Sequence, residues 1–279
     1  MLDSIDHVII AVEDLDQASK NYEMILGNPP VWKGEHKEFG TKNTLFNFQN
    51  TYLELLAAGG EGIGADLIKH TLKNNGEGLN GIVFGTSDMN QFRTIMQKNS
   101  FNLADASSGE GVNFKTGEKR TWINQFLVPE LSRGLFSFII EHTAGKLAKV
   151  NKYSDSSVHR LDHVVISTND VEGFIKTYRD IFNIRLALDK FVEHWQKRML
   201  FFRLNKTTIE VIEEKNQNDA IDKLWGLAWN VIDLASCRER LMKLGVDVTE
   251  IKKGVKEGTL VMTIKSHTHS VPTLFIEHT

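Results

Sequence analysis

The chain contains itself twice, and this repetition limits what it can fold into more than any other property of the sequence. The stretch DHVIIAVEDLDQASKNYEMILG from Asp6 returns from Asp162 as DHVVISTNDVEGFIKTYRDIFN, with Asp6/Asp162, His7/His163, Asp14/Asp170 and Tyr22/Tyr178 in one register. The same offset of 156 residues carries Glu54 to Glu210 without a gap, so NTYLELLAA matches KTTIEVIEE. A second pair interleaves with the first: LNGIVFGTSDM from Leu79 resembles LWGLAWNVIDL from Leu224, and SFIIEHT from Ser137 resembles TLFIEHT from Thr273. The units run A-B-A-B over 1–58, 79–143, 157–214 and 224–279. The first B unit is nine residues longer, and the excess falls near Ser107–Gly117, whose glycines and serines suit a loop.

Each unit reads as a strand, a helix and three further strands. In the first, Ile5–Val12 is β-branched, Asp14 is placed to cap a helix, and Leu15, Ala18, Tyr22, Ile25 and Leu26 have helical spacing that ends at Gly27. Extended segments follow at about 30–37, 43–49 and 51–57. The pattern predicts an α+β fold of four βαβββ modules in two paired-module lobes, each a curved mixed sheet forming a cup, with domains at 1–145 and 157–279. The glycines of GEGIGAD read as a linker, because no phosphate-loop Lys-Ser/Thr follows them. The polar run KLAKVNKYSDSS reads as the solvated boundary between lobes, where protease should cut first.

Composition removes several classes of partner. Lys+Arg 33 against Asp+Glu 36 gives a net charge of −3, so no global positive field recruits nucleic acid. No apolar run reaches the roughly 18 to 20 residues that a spanning helix needs, and MLDSID carries acids where a secretory signal would be basic. The lone Cys237 cannot form an internal disulfide, which makes a reducing cytoplasm the expected compartment.

Four βαβββ modules together with DHVIIAVEDL, HKEFGTKN from His36, YLELLAA and SFIIEH resemble the vicinal oxygen chelate superfamily of glyoxalases, extradiol dioxygenases and bleomycin-resistance proteins, most nearly its bacterial glyoxalase-like members. The resemblance covers nearly the whole chain. It implies a cup around a divalent metal (Mn, Fe(II), Mg or Zn) whose ligands come from the first and last strands of each module. Carried over by position, those ligands are His7, Glu54 and Glu141, with Gly81 where a second histidine stands in glyoxalases. The second half gives His163, Glu210 and Glu277, with Gly226 at the gap. The missing ligand departs from both the lyase and the dioxygenase patterns, so neither activity transfers directly.

The residues carry their own argument. Strand alternation puts Ile5, His7, Ile9 and Ala11 on one face, Glu54 interrupts Tyr-Leu-Glu-Leu-Leu, and Glu141 follows Phe138-Ile139-Ile140. A buried carboxylate without a partner costs several kcal/mol, so each needs a cation, a metal or donors, or must stay protonated. The opposing readings are a core histidine bonded to a carbonyl and solvated glutamates copied by duplication. His36 and Glu141 are the candidates for moving a proton, and Thr41, Asn43, Arg120 and Trp122 for contacting a substrate. His142 and His278 read as structural.

Two functions remain open at this level: a metal-dependent enzyme acting on a small oxygenated metabolite, and a drug- or metabolite-binding protein using the same cup. A homodimer scaffold is a third. The N-terminal half is the expected working site, because the C-terminal segment EHWQKRML, which keeps His194, replaces the Gly-Thr-Lys-Asn turn with bulkier residues that should fill its cup.

Overall fold

A computed structural model describes residues 1–150, 152–193, 195–214 and 221–279. His194 lies outside the described residues. The N-terminal half runs β1 (Ser4–Ala11), α1 (Leu15–Leu26), β2 (Trp32–His36), β3 (Thr41–Asn47), β4 (Tyr52–Ala58), α2 (Ile63–Asn75), β5 (Gly78–Gly85), α3 (Met89–Lys98), β6 (Ser107–Asn113), β7 (Lys119–Phe126), a single turn α4 (Pro129–Ser132) and β8 (Phe136–Ala144). The C-terminal half runs β9 (Val158–Thr168), α5 (Val171–Ile175) continuing as a π-helical turn over Lys176–Ile181, β10 (Arg185–Val192), β11 (Lys197–Leu204), β12 (Thr207–Glu213), β13 (Asp222–Val231), α6 (Leu234–Lys243), β14 (Lys252–Lys253), β15 (Thr259–Ile264) and β16 (Thr273–His278). The four modules are present, and the repeat extends to their caps. Asp14, Asp88, Asp170 and Asp233 each accept a hydrogen bond from a backbone N–H three residues on, at Gln17, Gln91, Gly173 and Ser236.

The halves differ in closure. The N-terminal strands form a closed barrel in the order β1-β4-β3-β2-β6-β7-β8-β5, sealed where Gly34 pairs with Asn113 and Glu35 with Val112. The C-terminal strands form an open sheet, β10-β11-β12-β9-β13-β16-β15-β14. Its strand corresponding to β6 is β14, two residues long and, among the described residues, paired with β15 alone. The excess near Ser107–Gly117 is thus not a plain loop: it supplies β6, the strand that closes the barrel. Its glycines answer to a close approach, since a Cβ on Gly109 would lie 2.3 Å from Trp122 Nε1 and one on Gly34 would lie 2.3 Å from the Val112 carbonyl oxygen. Crowding at EHWQKRML was expected to fill the C-terminal cup; among the described residues the C-terminal sheet is open where the N-terminal strands close into a barrel.

Two further expectations are corrected. Residues 59–78 are not a plain linker, because α2 spans most of them and buries Ala65 and Ile68. The segment from Lys146 is not a free tether: Leu147 packs on the cluster of Trp32, Leu45 and Tyr52, and Asn47 Nδ2 donates to the Ala148 carbonyl at 2.8 Å. The lobes also share one apolar cluster, in which Phe84 meets Phe182 and Phe48 meets Trp229. Arg133 bridges them by donating from Nε to Asp222 Oδ2 at 2.7 Å. Among the described residues no helix is long and apolar enough to cross a membrane.

Candidate functional site

Alternation along the barrel strands decides what faces inward. Tyr52, Glu54 and Leu56 of β4, Thr41, Asn43 and Leu45 of β3, Arg120, Trp122, Asn124 and Phe126 of β7, and Phe136, Phe138 and Ile140 of β8 line a cavity of about 520 Å³. β1 contributes His7 and Ile9. A register shift between Ile5 and His7 breaks the expected single face, so Ile5 joins the shared core while Ile9 stays with the cup. The wall is mostly apolar. Phe39 and the α2 residues Ile63, Leu67 and Ile68 also line the cavity, and sequence reasoning missed them. Their signal was present in the helical spacing of Ile63, Leu67, Ile68 and Leu72, behind the glycines that read as a linker.

The polar groups cluster. His7 Nδ1 donates to Asp6 Oδ1 at 2.7 Å, which turns Nε2 toward Glu54 Oε2 at 3.3 Å. Asn43 Nδ2 donates to Glu54 Oε1 at 2.7 Å and lies 3.2 Å from His36 Nε2, while His36 Nδ1 lies 2.9 Å from Thr41 Oγ1. Glu54 fixes the orientation of the Asn43 amide, because the reverse would set two oxygens together. His36 Nε2 is then an acceptor and its Nδ1–H donates to Thr41. Tyr52 stacks on His7 with centroids 4.5 Å apart, and Trp122 meets His36 edge-on at 5.4 Å.

Charge follows from this network. Burial would drive His7 toward its neutral form, but the Asp6 and Glu54 carboxylates outweigh it and raise the imidazole above its ordinary pKa. Burial pushes Glu54 up, and the hydrogen bonds and charge of His7, with help from His36 and Asn43, more than reverse it. Burial lowers His36, with Glu54 opposing and His7 and Arg120 assisting. The cup therefore favours the charged form of His7, the ionised form of Glu54 and the neutral form of His36. Among the described residues Asn43 Oδ1, Asn124 Oδ1 and Arg120 Nε are buried without a hydrogen-bond partner.

The structure gathers His7, Glu54, His36, Thr41, Asn43, Arg120 and Trp122 around one cavity, and it does not bring Glu141 to them. Position 141 falls on the outer side of β8, where Glu141 Oε2 accepts from the Met89 N–H at 2.7 Å and caps α3. Glu277 does the same for α6, accepting from Leu234 N–H at 2.8 Å. The C-terminal counterpart is looser: His163 Nε2 lies 3.6 Å from Glu210 Oε2, and burial raises the Glu210 carboxyl against the pull of His163.

A resident three-ligand metal centre does not fit this donor set. His7 Nε2 and Glu54 Oε2 are two donors of the right kind, but Glu141 is committed to a helix terminus and Gly81 offers no side chain. Among the described residues no group of three or more His, Cys, Asp or Glu is arranged to hold an ion.

The comparisons agree with this architecture. The model of the glyoxalase-like domain matches residues 5–182, and that of the glyoxalase/bleomycin resistance protein/dioxygenase superfamily matches 162–263. Similar solved structures include a mutant of 4-hydroxymandelate synthase from Streptomyces coelicolor, with 14% identity over 100% of this chain and 93% of that one at TM-score 0.69. A hypothetical protein from Staphylococcus aureus shows 13% identity over 99% of each chain at TM-score 0.66. The Mn(II)-bound glyoxalase from Novosphingobium aromaticivorans shows 14% identity over 99% of this chain and 82% of that one, also at 0.66. Among curated proteins no match was found. The chain belongs to the glyoxalase-like domain family of the vicinal oxygen chelate superfamily.

Proposed function

We propose that the N-terminal barrel is the active site of an enzyme that moves a proton on a small, largely apolar molecule bearing a carbonyl and a neighbouring oxygen. The observation that carries this reading is the pairing of His7 and Glu54 at 3.3 Å on the wall of the apolar cavity inside the closed barrel, where the surroundings favour the charged form of His7 and the ionised form of Glu54. His7 Nε2–H donates to the carbonyl oxygen and stabilises the negative charge that builds there. The Glu54 carboxylate takes the proton from the adjacent carbon and returns it to the same or the neighbouring carbon. Low dielectric around the pair strengthens both effects. His36, whose Nε2 accepts from Asn43, acts as a positioning residue, holding Asn43 against Glu54.

The test is hydrogen exchange. The purified protein is incubated in D₂O with a panel of 2-keto and 2-hydroxy acids and aldehydes carrying aliphatic or aromatic bodies, and deuterium uptake is followed by NMR. Exchange beyond the buffer rate that is lost in Glu54→Gln supports the proposal. Panel members that shift the Trp122 environment on binding without exchanging would replace it with a binding protein that uses the same cup.

A further inference from the structure

A second cavity of about 610 Å³ lies at the other end of the barrel, between the ends of the strands and the segment that leaves β8. It shares only Tyr52 and Arg120 with the cup. Arg120 is 6% exposed, and among the described residues it pairs with no carboxylate. Its guanidinium lies against the rings of Tyr52 and Trp32, 5.4 and 5.8 Å from their centroids, and Nη2 reaches to 3.5 Å from His142 Nδ1, which lines the second cavity and not the cup. Among the described residues Nε has no hydrogen-bond partner. Aromatic faces offset only part of the cost of burying a guanidinium, so a counter-charge is missing.

The rest of the cavity has the same sign. Lys146 and Lys149 stand exposed on its outer wall, and neither pairs with an acid among the described residues. Among its described lining residues the one acid, Asp6, is already engaged on both oxygens, by His7 and by His142. We infer that this cavity is a binding site for a small oxyanion, the phosphate or carboxylate group of a metabolite, seated on Arg120 and enclosed by Lys146 and Lys149. A planar guanidinium at the bottom suits a group with two oxygens side by side, and two flexible ammonium groups at the mouth suit capture.

The test is calorimetric titration of the full chain with inorganic phosphate and with succinate, at ionic strength held constant with sodium chloride. One equivalent of phosphate or of succinate should bind saturably, and whichever does identifies the group. Lys146→Ala combined with Lys149→Ala should weaken it about tenfold, as expected for the loss of charge-assisted contacts. Arg120→Gln should abolish it. Because Arg120 packs between two rings and its variant can fail to fold, the lysine pair on the surface keeps the test decisive. Absence of saturable binding by either anion, or an affinity unchanged in the double lysine variant, overturns the proposal.

Discussion

Asp6 holds His142 Nε2 on one carboxylate oxygen at 3.0 Å, across 136 residues of chain, and His7 Nδ1 on the other at 2.7 Å. One acid thereby ties the first barrel strand to the last and fixes the imidazole that faces the cup. The C-terminal half repeats the contact, with His278 Nε2 2.6 Å and His163 Nδ1 3.0 Å from the two oxygens of Asp162. Since the open sheet keeps it too, the arrangement belongs to the module and not to the chemistry of the cup.

Acid sensitivity follows from that contact. Burial pushes the Asp6 carboxyl up, but the hydrogen bonds from His142 and His7 outweigh burial and hold it well below the usual range. Its contribution is therefore complete above the unfolded value of about 4 and is lost as pH falls through the folded value. Asp6→Asn should cost about 2 to 3 kcal/mol in urea unfolding at pH 7, in line with a buried charge-assisted pair. The gap between variant and wild type should shrink at pH 3; a gap independent of pH would assign the loss to packing.

Glu141→Gln separates the capping role from a role in the cup. An amide still accepts from Met89 N–H but loses its charge at the positive end of α3, so stability should fall by about 0.5 to 1 kcal/mol. Any ligand affinity of the cup should stay unchanged. A variant of normal stability that no longer binds would return Glu141 to the site.

Much of this was legible because it is local. The Asp14 cap and the four modules follow from spacing and repetition, whereas Glu54 was reached through the family resemblance and Asn43 as part of the turn that begins at Gly40. Glu141 was misplaced by reading SFIIEHT as a motif, although the inward series Phe136, Phe138 and Ile140 already excludes position 141 from that face. Closure was out of reach for a different reason: Gly109, among the glycines and serines near Ser107–Gly117, looks like a loop residue until Trp122 is known to lie over it from β7. The break at Ile5 is likewise set by the partner strand β5.

Barrel closure can be tested at that glycine. Gly109→Ala places a methyl group 2.3 Å from Trp122 Nε1, and overpacking of this kind costs about 1 to 3 kcal/mol. The ring must shift or β6 must detach, and either change moves the tryptophan emission to the red. Emission and stability equal to wild type would mean that β6 is free to yield.

Metal retention tests the two-donor finding. A His and a Glu alone hold a divalent ion weakly, so protein loaded with Mn²⁺ or Zn²⁺ should lose it on gel filtration through buffer without metal. One equivalent retained by wild type and released by Glu54→Gln would show that a third ligand, from solvent or a rearranged side chain, completes a real centre.

The two halves should differ in what their histidines do. In the closed barrel His7 is 3% exposed and stacked on Tyr52, and its imidazole is raised above the ordinary value by Asp6 and Glu54 against the effect of burial. His163 lies farther from its glutamate, on a sheet that is open among the described residues, beside a carboxyl that burial pushes toward its neutral form. In an NMR titration the His7 imidazole should lose its proton above the usual 6.5 or so, and Glu54→Gln should bring that transition down, because removing the carboxylate leaves burial less opposed. The sign for stability is the reverse of that for Asp6: the His7 contribution is present in full below about 6.5 and is lost as pH rises through the folded value. His7→Ala should accordingly abolish both binding in the cup and any exchange activity, while His163→Ala should lower stability and leave both intact. Loss of activity on changing His163, with His7→Ala active, would place the working site on the open sheet and reduce barrel closure to a structural detail.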